Sequence, residues 1–444
     1  MADKPTQLKV LVVGSGIAGP CFAFWLNKLL PASDITILER ASEPRLGGQA
    51  VDIRSAAISV VERMGLLEAV KDKTTTEVGI DFIYADGKTK ATFPASGNDE
   101  QQSMTSEYEI LRGDMAKILY EATKDKVGIE YIFDETISKV DEQENGQVNV
   151  TFANHTQPTT YSLVVGADGM RSHTRRHVFG HGPDNHDYLH RLGQFGAYFT
   201  IPKTDDDTHF AQWYNASGGR LILKRPDQYG STRVYIAVTD TDLSRFDDID
   251  EALHERSRHE QQAWLEKEFA GAGWITERVL RGMKDADDFY MQEIAQVRMP
   301  SWSQGSVVLI GDAAYCPSPI SGMGTSSAII GSSILATLLA QTPHNIPLAL
   351  TEYESQTRPF IADVQKLIPG APQVANPQTE WGIALFNHTM GFISHPYVRR
   401  FGGLVGKIAP AFGKSGEGVE VGADGVKGME GKEEKGEGKR KEGE

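Results

Sequence analysis

The chain has 444 residues, of which 40% are hydrophobic, and it carries a formal net charge of -15 at pH 7. This length allows two or three domains with sizeable cores, and the acidic balance argues against a nucleic-acid partner, which usually selects a basic surface. Apolar runs stay below the roughly 18 residues that cross a bilayer, and residues 1–7 lack the pattern of a signal peptide, so we expect no stable membrane insertion.

The first elements predict a dinucleotide-binding βαβ unit. An apolar run over residues 8–13 predicts a strand, a glycine-rich turn and a helix follow directly, and a second apolar run, 35–38, ends in Glu39. The glycines of the turn are Gly14, Gly16 and Gly19. They have the spacing of the dinucleotide-binding fingerprint, and the acid stands about twenty residues beyond them. The first glycine permits the tight turn, the second leaves room for a pyrophosphate, and the third allows close packing of helix and strand.

This unit predicts dinucleotide binding but does not select the dinucleotide. The free N–H groups at the start of the helix favour phosphate, and Glu39 is placed to accept hydrogen bonds from a ribose. FAD and NAD share the adenosine diphosphate half, so both stay open at this point. Cys21 lies in the same helix beside two phenylalanines, which indicates a buried packing role. Cys21 and Cys316 are too few for a disulfide framework and favour a reducing compartment, and we expect a cytoplasmic protein.

The remaining elements alternate and then give way to a long β-rich block. The patterns predict helices over residues 55–70, 113–124 and 325–339 and a polar helical region over about 248–270. They predict strands over 129–133, 148–152, 162–165, 193–201, 219–223, 232–238 and 306–310. The β-rich block separates two pieces of the nucleotide-binding pattern, which indicates a discontinuous domain with a sheet inserted into it.

Three further motifs carry residues suited to a nucleotide cofactor. Arg112 opens the helix near 113, and Asp168 with Gly169 follows the strand 162–165. Asp312 follows the strand 306–310, and a second glycine-rich turn comes shortly after it. Arginine offers a fork to phosphate, an aspartate is a compact acceptor for hydroxyl groups, and a helix N-terminus stabilises nearby negative charge.

In order and spacing these motifs resemble those of the group A flavoprotein monooxygenases, the para-hydroxybenzoate hydroxylase-like family, over about residues 8–370. The resemblance implies FAD as the cofactor. It implies that Arg112 reaches the ribityl and pyrophosphate region and that Asp168 holds the strand–helix junction beside the pyrophosphate and supports use of the nicotinamide cofactor. It further implies that Asp312 contacts the ribityl hydroxyls and that the turn with Gly322 and Gly324 opens a helix aimed at the isoalloxazine ring.

Two segments, 47–54 and 317–324, resemble the tetracycline-inactivating branch of this family. By that resemblance Asp52 is a candidate to contact FAD, and an ion pair of Asp52 with Arg54 in a surface loop is the alternative. The sequence also departs from the family: Tyr315 stands where many members carry histidine, and Ser326 where many carry asparagine. We therefore expect a different loop on the substrate side and carry no particular substrate over.

The activity implied is that of an FAD-dependent monooxygenase. In the family NAD(P)H is a transient co-substrate that reduces the flavin and leaves, and a C4a-hydroperoxyflavin then inserts one oxygen atom from O2 into the substrate. We expect an aromatic or polyketide-like small molecule. A flavin-dependent oxidase or dehydrogenase of the same fold, and a flavin-bound protein that sequesters a ligand, remain alternatives. The sequence does not choose between NADH and NADPH, between hydroxylation, epoxidation and Baeyer–Villiger insertion, or among oligomeric states.

Other candidate residues carry weaker signals. His173, His177 and His181 recur at helical spacing, but Arg175, Arg176 and the Gly/Pro break that follows argue against a metal-binding face, and we predict no metal site. Trp213 and Tyr214 lie in a β-like stretch, where an aromatic residue is more often part of a core, so we assign neither to a pocket. The sequence names no catalytic acid or base.

The predicted fold class is α/β: a Rossmann-like FAD-binding domain with an inserted β-sheet substrate domain and a C-terminal helix. The predicted boundaries are 1–74, 111–188 and 286–370 for the FAD-binding domain, 75–110 and 189–285 for the substrate domain, 371–412 for a C-terminal helical segment, and 413–444 for a disordered tail rich in Gly, Glu and Lys. The predicted cofactor-binding residues are Gly14, Ser15, Gly16, Gly19, Glu39, Arg40, Asp52, Arg54, Arg112, Asp168, Gly169, Asp312, Gly322 and Gly324.

Overall fold

The computed structural model describes residues 7–395, apart from 46, 76, 96–107, 155, 184 and 256, together with 420–422 and 425–427. Its strands are β1 (Lys9–Val13), β2 (Asp34–Leu38), β3 (Ala50–Asp52), β4 (Gly79–Ile83), β5 (Thr89–Pro94), β6 (Glu109–Leu111), β7 (Ile129–Ile132), β8 (Ile137–Glu142), β9 (Val148–Phe152), β10 (Thr159–Tyr161), β11 (Leu163–Gly166), β12 (Leu189–Pro202), β13 (Ala211–Ala216), β14 (Arg220–Pro226), β15 (Ser231–Thr239), β16 (Tyr290–Val297), β17 (Ser303–Gln304), β18 (Val307–Leu309), β19 (Glu420–Gly422) and β20 (Gly425–Lys427). Its α-helices are α1 (Ala18–Leu29), α2 (Ala56–Arg63), α3 (Leu67–Lys71), α4 (Arg112–Glu121), α5 (His173–Phe179), α6 (Asp247–His254), α7 (Arg258–Phe269), α8 (Thr276–Asp285), α9 (Asp312–Tyr315), α10 (Gly324–Gln341), α11 (Ile346–Val364) and α12 (Glu380–Ser394). Short 3-10 helices span Leu243–Phe246 and Pro319–Ser321.

A six-stranded sheet contains the first strands of the chain. Its order is β17-β18-β11-β1-β2-β7, and every neighbouring pair is parallel except β17 with β18. The strand β11 is buried along its whole length, as expected for a central strand of a parallel sheet covered on both faces. The helices α1 and α10 pack against each other beside this sheet. The carboxyl ends of β1, β11 and β18 therefore meet at one edge, the edge at which open α/β sheets bind ligands.

A seven-stranded sheet of order β16-β12-β15-β14-β13-β4-β5 forms the second layer, antiparallel except where β13 pairs with β4. Successive side chains on its strands point to opposite faces. One face packs under α6, α7 and α8, and Tyr214 lies in that core. The opposite face carries Phe82, Trp213 and Leu223 and packs against Phe386 of α12.

Two smaller ribbons position parts of the site. The strands β8, β9 and β10 form an antiparallel sheet, and β3 pairs with β6 so that Asp52 lies directly opposite Glu109. This pairing brings the segment before α2 next to the segment that opens α4.

The predicted α/β class is confirmed, but three local predictions are wrong. The helix expected over 55–70 is divided into α2 and α3, because Gly65 between them has a φ of +76°. The strand Tyr290–Val297 pairs with β12 in the seven-stranded sheet, although we placed 286–370 in the FAD-binding domain. The two edges of β12 pair with different strands, one with β15 and the other with β16. The rest of the domain division stays a prediction.

The third correction concerns the tail 413–444, which we expected to be disordered. Within it Glu420–Gly422 and Gly425–Lys427 form an antiparallel ribbon with Val421 opposite Val426, two residues of high strand propensity. The rest of the tail lies outside the described residues. The predicted helical segment 371–412 contains α12, and its part beyond residue 395 is likewise outside them. Among the helices of the described residues, none has the length and apolarity to cross a membrane.

Candidate cofactor and substrate site

The first glycine-rich turn brings β1, α1 and β11 into close contact. Gly14 has a φ of +112°, and a Cβ at this residue would lie 2.5 Å from the carbonyl oxygen of Ala167. A Cβ at Gly19 would collide with the carbonyl oxygen of Gly14 itself. Both positions therefore require glycine, as the fingerprint predicted, and the start of α1 is held close to the sheet edge.

Glu39, at the end of β2, is held by the same turn. Its Oε2 accepts hydrogen bonds from the backbone N–H of Ser15 at 3.0 Å and from the Ser15 hydroxyl at 3.1 Å, and its Oε1 accepts one from the N–H of Ala41 at 3.1 Å. Burial acts to raise the pKa of Glu39, but these N–H groups and the charge of Arg45 outweigh it, so the pKa lies below its usual range. The carboxylate is thus charged and oriented toward the turn, while the predicted Arg40 is exposed beside it.

Arg112, at the start of α4, crosses the cleft toward the glycine-rich turn. Its N–H donates to the carbonyl oxygen of Gln49 at 2.9 Å, and a Cβ at Gly48 would lie 3.1 Å from the Arg112 Cβ. A Cβ at Gly16 would lie 3.5 Å from the Arg112 Nη2. The absence of side chains at these two glycines therefore leaves space around the guanidinium. Arg45, which sequence reasoning missed, interacts electrostatically with both Glu39 and Arg112.

Asp312 lies at the bottom of this cleft. The residues that flank it in sequence, Gly311 and Ala313, are buried, whereas Asp312 is exposed to solvent. Protein nevertheless surrounds the carboxylate on most sides. Burial raises its pKa above the usual range, and the positive charge of Arg112 and a hydrogen bond from the Cys316 thiol act in the opposite direction. An accessible carboxylate inside a concave surface is suited to accept hydrogen bonds from a ligand.

The second glycine-rich turn adjoins Asp312. A Cβ at Gly324, the first residue of α10, would lie 3.8 Å from the Asp312 Oδ1. From Gly16 through Arg112 and Asp312 to Gly324, the predicted residues follow one another along a single cleft. It is bordered at its two ends by the N-termini of α1 and α10, which favour negatively charged groups.

Asp168 differs from Arg112 and Asp312 in that both of its carboxylate oxygens are bonded within the protein. Its Oδ1 accepts from the Ser172 hydroxyl at 2.5 Å, and its Oδ2 accepts from the N–H and hydroxyl of Thr174 at 2.9 and 3.1 Å. These bonds hold the start of α5 beside the end of β11. Gly169, with a φ of +83°, makes the turn between them.

Arg175, which sequence reasoning treated only as an argument against a metal site, joins two of the motifs. It is fully buried, and its Nη1 donates to the carbonyl oxygen of Ala313 at 2.8 Å while its Nη2 donates to that of Met170 at 2.6 Å. Burial lowers its pKa to about 10. The Asp-Gly motif and the Gly-Asp motif are therefore held together by one guanidinium, which only the tertiary structure reveals.

Asp52 and Arg54 form an ion pair of 2.8 Å, with side chains that are 16% and 15% exposed. The pair is not in an exposed loop: the Arg54 N–H donates to the Ser326 hydroxyl at 2.9 Å, and a Cβ at Gly322 would lie 3.6 Å from the Asp52 Oδ2. The Asp52 Oδ1 and the Arg54 Nε are buried and have no hydrogen-bond partner within the described part of the chain. An unpaired acceptor and donor side by side are suited to a polar ligand.

The two departures from the family pattern have different consequences. Tyr315 does not face the cleft: it is 1% exposed and packs against Trp302 and Tyr353, with its hydroxyl over Gly331. The expectation that this substitution alters the substrate side is therefore wrong for Tyr315. Ser326 does reach the site, because its hydroxyl accepts a hydrogen bond from the backbone N–H of Arg54.

A cavity of about 160 Å³ adjoins this ion pair. Its residues come from β4, β13, β14, the turn before α10 and α12: Asp52, Arg54, Glu77, Ile80, Phe82, Ala211, Trp213, Leu223, Arg225, Pro319, Ile320, Ser321, Gly322 and Phe386. The apolar part of the lining is largely aromatic, and its charged part consists of Asp52, Arg54, Glu77 and Arg225. The second glycine-rich turn therefore borders both the cleft and the cavity.

Sequence reasoning named Asp52, Arg54 and Gly322 of this cavity as cofactor-binding candidates but missed its other residues. Trp213 lines it, whereas its neighbour Tyr214 points into the opposite core, where its hydroxyl donates to the carbonyl oxygen of Ala272 at 2.5 Å. The alternation of side chains along β13 could have separated the two residues, but the face that carries the cavity is set by the packing of α12.

The remaining candidates do not contribute a site. The thiols of Cys21 and Cys316 are free and buried, in agreement with the packing role expected for Cys21. His181 pairs with Asp187 at 2.6 Å. In the part of the chain that the structure describes, no cluster of three or more His, Cys, Asp or Glu side chains is arranged to hold a metal ion.

Comparisons with known proteins identify the class. A family model described as FAD binding domain matches residues 7–367. The chain is 36% identical over 420 residues to the flavin-dependent monooxygenase eupH of a Phoma species, covering 90% of this chain and 94% of that protein. It is 33% identical over 411 residues to the FAD-dependent monooxygenase asL4 of Sarocladium schorii, covering 87% and 93%. The crystal structure of the tetracycline destructase Tet(51) superposes with a TM-score of 0.70 at 29% identity, covering 88% of this chain and 98% of that one.

The chain therefore belongs to the FAD binding domain family. It is an FAD-dependent monooxygenase that acts on a small-molecule substrate, and the resemblance inferred from its motifs is confirmed. The cleft fits this cofactor on structural grounds as well, because it combines two helix N-termini, two glycines without side chains around a guanidinium, and an accessible carboxylate.

Proposed function

We propose that this monooxygenase consumes NAD(P)H as a transient co-substrate and inserts one oxygen atom from O2 into an aromatic or polyketide-like small molecule. The bound flavin supplies the electron transfer and the oxygen delivery. The observation that carries the proposal is the position of the cavity: the turn Pro319–Ser321 and Gly322 form one of its walls, next to the cleft that ends at α10.

The lining of the cavity supports a flat, largely apolar substrate. Phe82, Trp213 and Phe386 meet on its apolar wall, with ring centroids of Phe82 lying 6.0 Å from Trp213 and 5.7 Å from Phe386. Aromatic side chains pack well against a planar ring system. The charged residues of the lining offer hydrogen bonds that orient polar substituents, and such a combination is typical of small-molecule sites.

The cleft residues carry the proposed FAD contacts. We assign the pyrophosphate to the N-terminus of α1 and to Arg112, the adenosine ribose to Glu39, and the ribityl hydroxyls to Asp312. The flavin ring then lies toward the turn of Gly322 and Gly324, within reach of the unpaired atoms of Asp52 and Arg54. The residues proposed to contact FAD or to shape its binding site are Gly14, Ser15, Gly16, Gly19, Glu39, Arg40, Asp52, Arg54, Arg112, Asp168, Gly169, Asp312, Gly322 and Gly324.

Asp168 acts indirectly in this proposal. Both of its carboxylate oxygens accept hydrogen bonds from residues 172–174, so it shapes the strand–helix junction rather than offering free acceptors to a cofactor. We also place the protein in the cytoplasm, and the free, buried thiols support a reducing compartment.

The test is the oxidation of NADH and NADPH by the purified, FAD-loaded protein with a panel of phenols and polyketides under isotope-labelled O2. We expect one or more compounds to stimulate the oxidation and to yield a product heavier by one labelled oxygen atom. Product without label, or stimulated oxidation without any product, would contradict the proposed oxygen insertion.

A Trp213→Ala variant probes the location of the substrate. It removes an aromatic ring from the cavity wall without touching the FAD cleft, so we expect a raised KM for the stimulating compound and an unchanged FAD content. The matched control is Trp274→Ala, because Trp274 packs on the opposite face of the same sheet, against Tyr214. Equal effects of the two variants on KM would place the substrate elsewhere.

A further inference from the structure

Three charged side chains meet at the polar wall of the cavity. The Arg225 Nε and Nη2 donate to the two carboxylate oxygens of Glu77 at 2.7 and 3.0 Å, and the Arg225 Nη2 lies 2.5 Å from the Glu109 Oε1. The side chains of Glu77 and Glu109 are 2% and 6% exposed. One guanidinium thus serves two buried carboxylates, so the cluster carries an unbalanced negative charge when both are ionised.

Among the described residues, Arg225 is the positive charge that acts on Glu109. Asp52 lies opposite Glu109 in the β3–β6 pairing, and its own charge is balanced by Arg54. The remaining contact of Glu109 is neutral: the Thr75 hydroxyl donates to its Oε2 at 3.2 Å. Burial raises the pKa of Glu109 to about 7, with Arg225 opposing this rise and the charges of Glu77 and Asp52 adding to it.

The cluster is directly connected with the cavity. Glu77 and Arg225 line it together with Asp52 and Arg54, whereas Glu109 is buried and reaches it through Arg225. A ligand hydroxyl beside these residues would meet the Glu77 carboxylate and the Arg225 guanidinium together. The first can accept a proton, and the second can stabilise an oxyanion.

We propose that Glu77, Arg225 and Glu109 form the acid–base cluster for a substrate that carries an acidic hydroxyl group, a phenol or an enol. The O–H bond of the substrate breaks, the proton passes to the carboxylate pair and forms a carboxyl O–H bond there, and the negative charge moves to the substrate oxygen beside Arg225. Glu77 is the catalytic residue that touches the substrate. Glu109 is a positioning residue that sets the charge of the cluster through Arg225.

The chemical consequence is an activated substrate. A phenolate or enolate carbon is richer in electrons than that of the neutral hydroxyl compound and is therefore easier to oxidise. The inference rests on the proposed function, because it assumes that the substrate occupies this cavity, and it narrows the substrate class to molecules with an ionisable hydroxyl.

The first experiment measures the proton on the cluster without any substrate. We compare pH-difference infrared spectra of the FAD-loaded, full-length protein with those of Glu109→Gln and of Glu268→Gln, which removes a carboxylate paired with Arg245 far from the cavity. In the wild type and in the control we expect to see the C=O band of a buried carboxylic acid, and this band should disappear as the pH rises through about 7. In Glu109→Gln the band should be missing. A wild-type protein without such a titrating band, or a band that persists in Glu109→Gln, would overturn the proposal.

The second experiment uses para-nitrophenol, whose phenolate absorbs visible light and so reports its own ionisation. We expect the wild-type protein to bind it with an increased phenolate fraction below the pH at which it ionises in solution. We expect Glu77→Gln to lose the increase in phenolate fraction because the proton acceptor is gone, Glu109→Gln to shift the pH profile of binding, and Glu268→Gln to match the wild type. Unchanged phenolate binding in Glu77→Gln would refute the role of the cluster.

The outcomes separate this inference from the proposed function. If a stimulating compound yields a labelled product while Glu77→Gln keeps the wild-type pH profile of turnover, the monooxygenase assignment stands and the cluster is structural. If no phenol binds to the wild type, the hydroxyl-bearing substrate class is wrong, whatever the infrared spectra show about Glu109.

Discussion

Replacing Arg175 with methionine tests how the two cofactor motifs are held together. The substitution leaves the carbonyl oxygens of Ala313 and Met170 without their donors. A buried acceptor without a partner costs about 1–3 kcal/mol, so the two together cost about 2–6 kcal/mol. The substitution also removes a buried charged group, and the Arg175 Nε has no partner among the described residues. Removing this group offsets part of the cost. We therefore expect a loss in the lower part of the range, about 2–4 kcal/mol.

The assay is urea unfolding followed by circular dichroism, together with the Kd of FAD from flavin fluorescence. The control is Arg176→Met in the same helix, since Arg176 pairs with Asp187 at 3.1 Å with its side chain 28% exposed. Partly exposed pairs contribute about 1 kcal/mol or less. We expect only Arg175→Met to raise the Kd of FAD, because Ala313 adjoins Asp312. A loss below about 1 kcal/mol, or an equal loss in Arg176→Met, would refute the argument.

Three further predictions concern single residues of the cleft and the cavity. Asp312→Asn keeps the shape but replaces a charged acceptor, whose hydrogen bonds contribute about 1.5–3 kcal/mol, by a neutral one at about 1 kcal/mol. The Kd of FAD should therefore rise about two- to thirtyfold in a fluorescence titration, and an unchanged Kd would contradict the ribityl assignment. Gly14→Ala places a Cβ 2.5 Å from the Ala167 oxygen at a φ of +112° and should cost about 1–3 kcal/mol in urea unfolding; a neutral effect would show that the turn relaxes. Glu109 has its pKa raised from 4.5 to about 7, so its contribution favours the folded state below about pH 4.5 and is lost as the pH rises through about 7. Relative to Glu109→Gln, the free energy of unfolding of the wild type should fall by about 3 kcal/mol across that range, and parallel pH profiles of the two proteins would contradict this.

The glycine-rich turn of the cofactor cleft could be predicted from the sequence, because its function depends on local backbone geometry. A turn that brings a strand, a helix and a phosphate together requires glycines at fixed spacing, and Gly14, Gly16 and Gly19 show that spacing in the linear chain. Arg112 follows β6 of the two-stranded ribbon, whereas Asp312 lies shortly after β18 of the six-stranded sheet. The family resemblance implied that both contact one cofactor, and the structure places them close enough for the charge of Arg112 to act on Asp312.

The residues of the substrate cavity could not be predicted from the sequence, because they lie close together in the structure but have no regular spacing along the chain. Glu77, Arg225 and Glu109 come from separate segments that are joined by the bridge between Thr74 and Ile110 and by the β4–β13 and β13–β14 pairings, and no local pattern distinguishes them from surface charges. Likewise, the sequence could not show that Trp213 faces a cavity while Tyr214 faces a core, since that choice depends on where α12 packs. The sequence by itself determined a dinucleotide-binding unit, because short-range geometry controls the glycine-rich turn, and the resemblance of its ordered motifs to a known family implied FAD and the class of reaction. Only the tertiary structure decided which side chains surround the substrate cavity, because long-range packing and the energetic cost of buried charge select them.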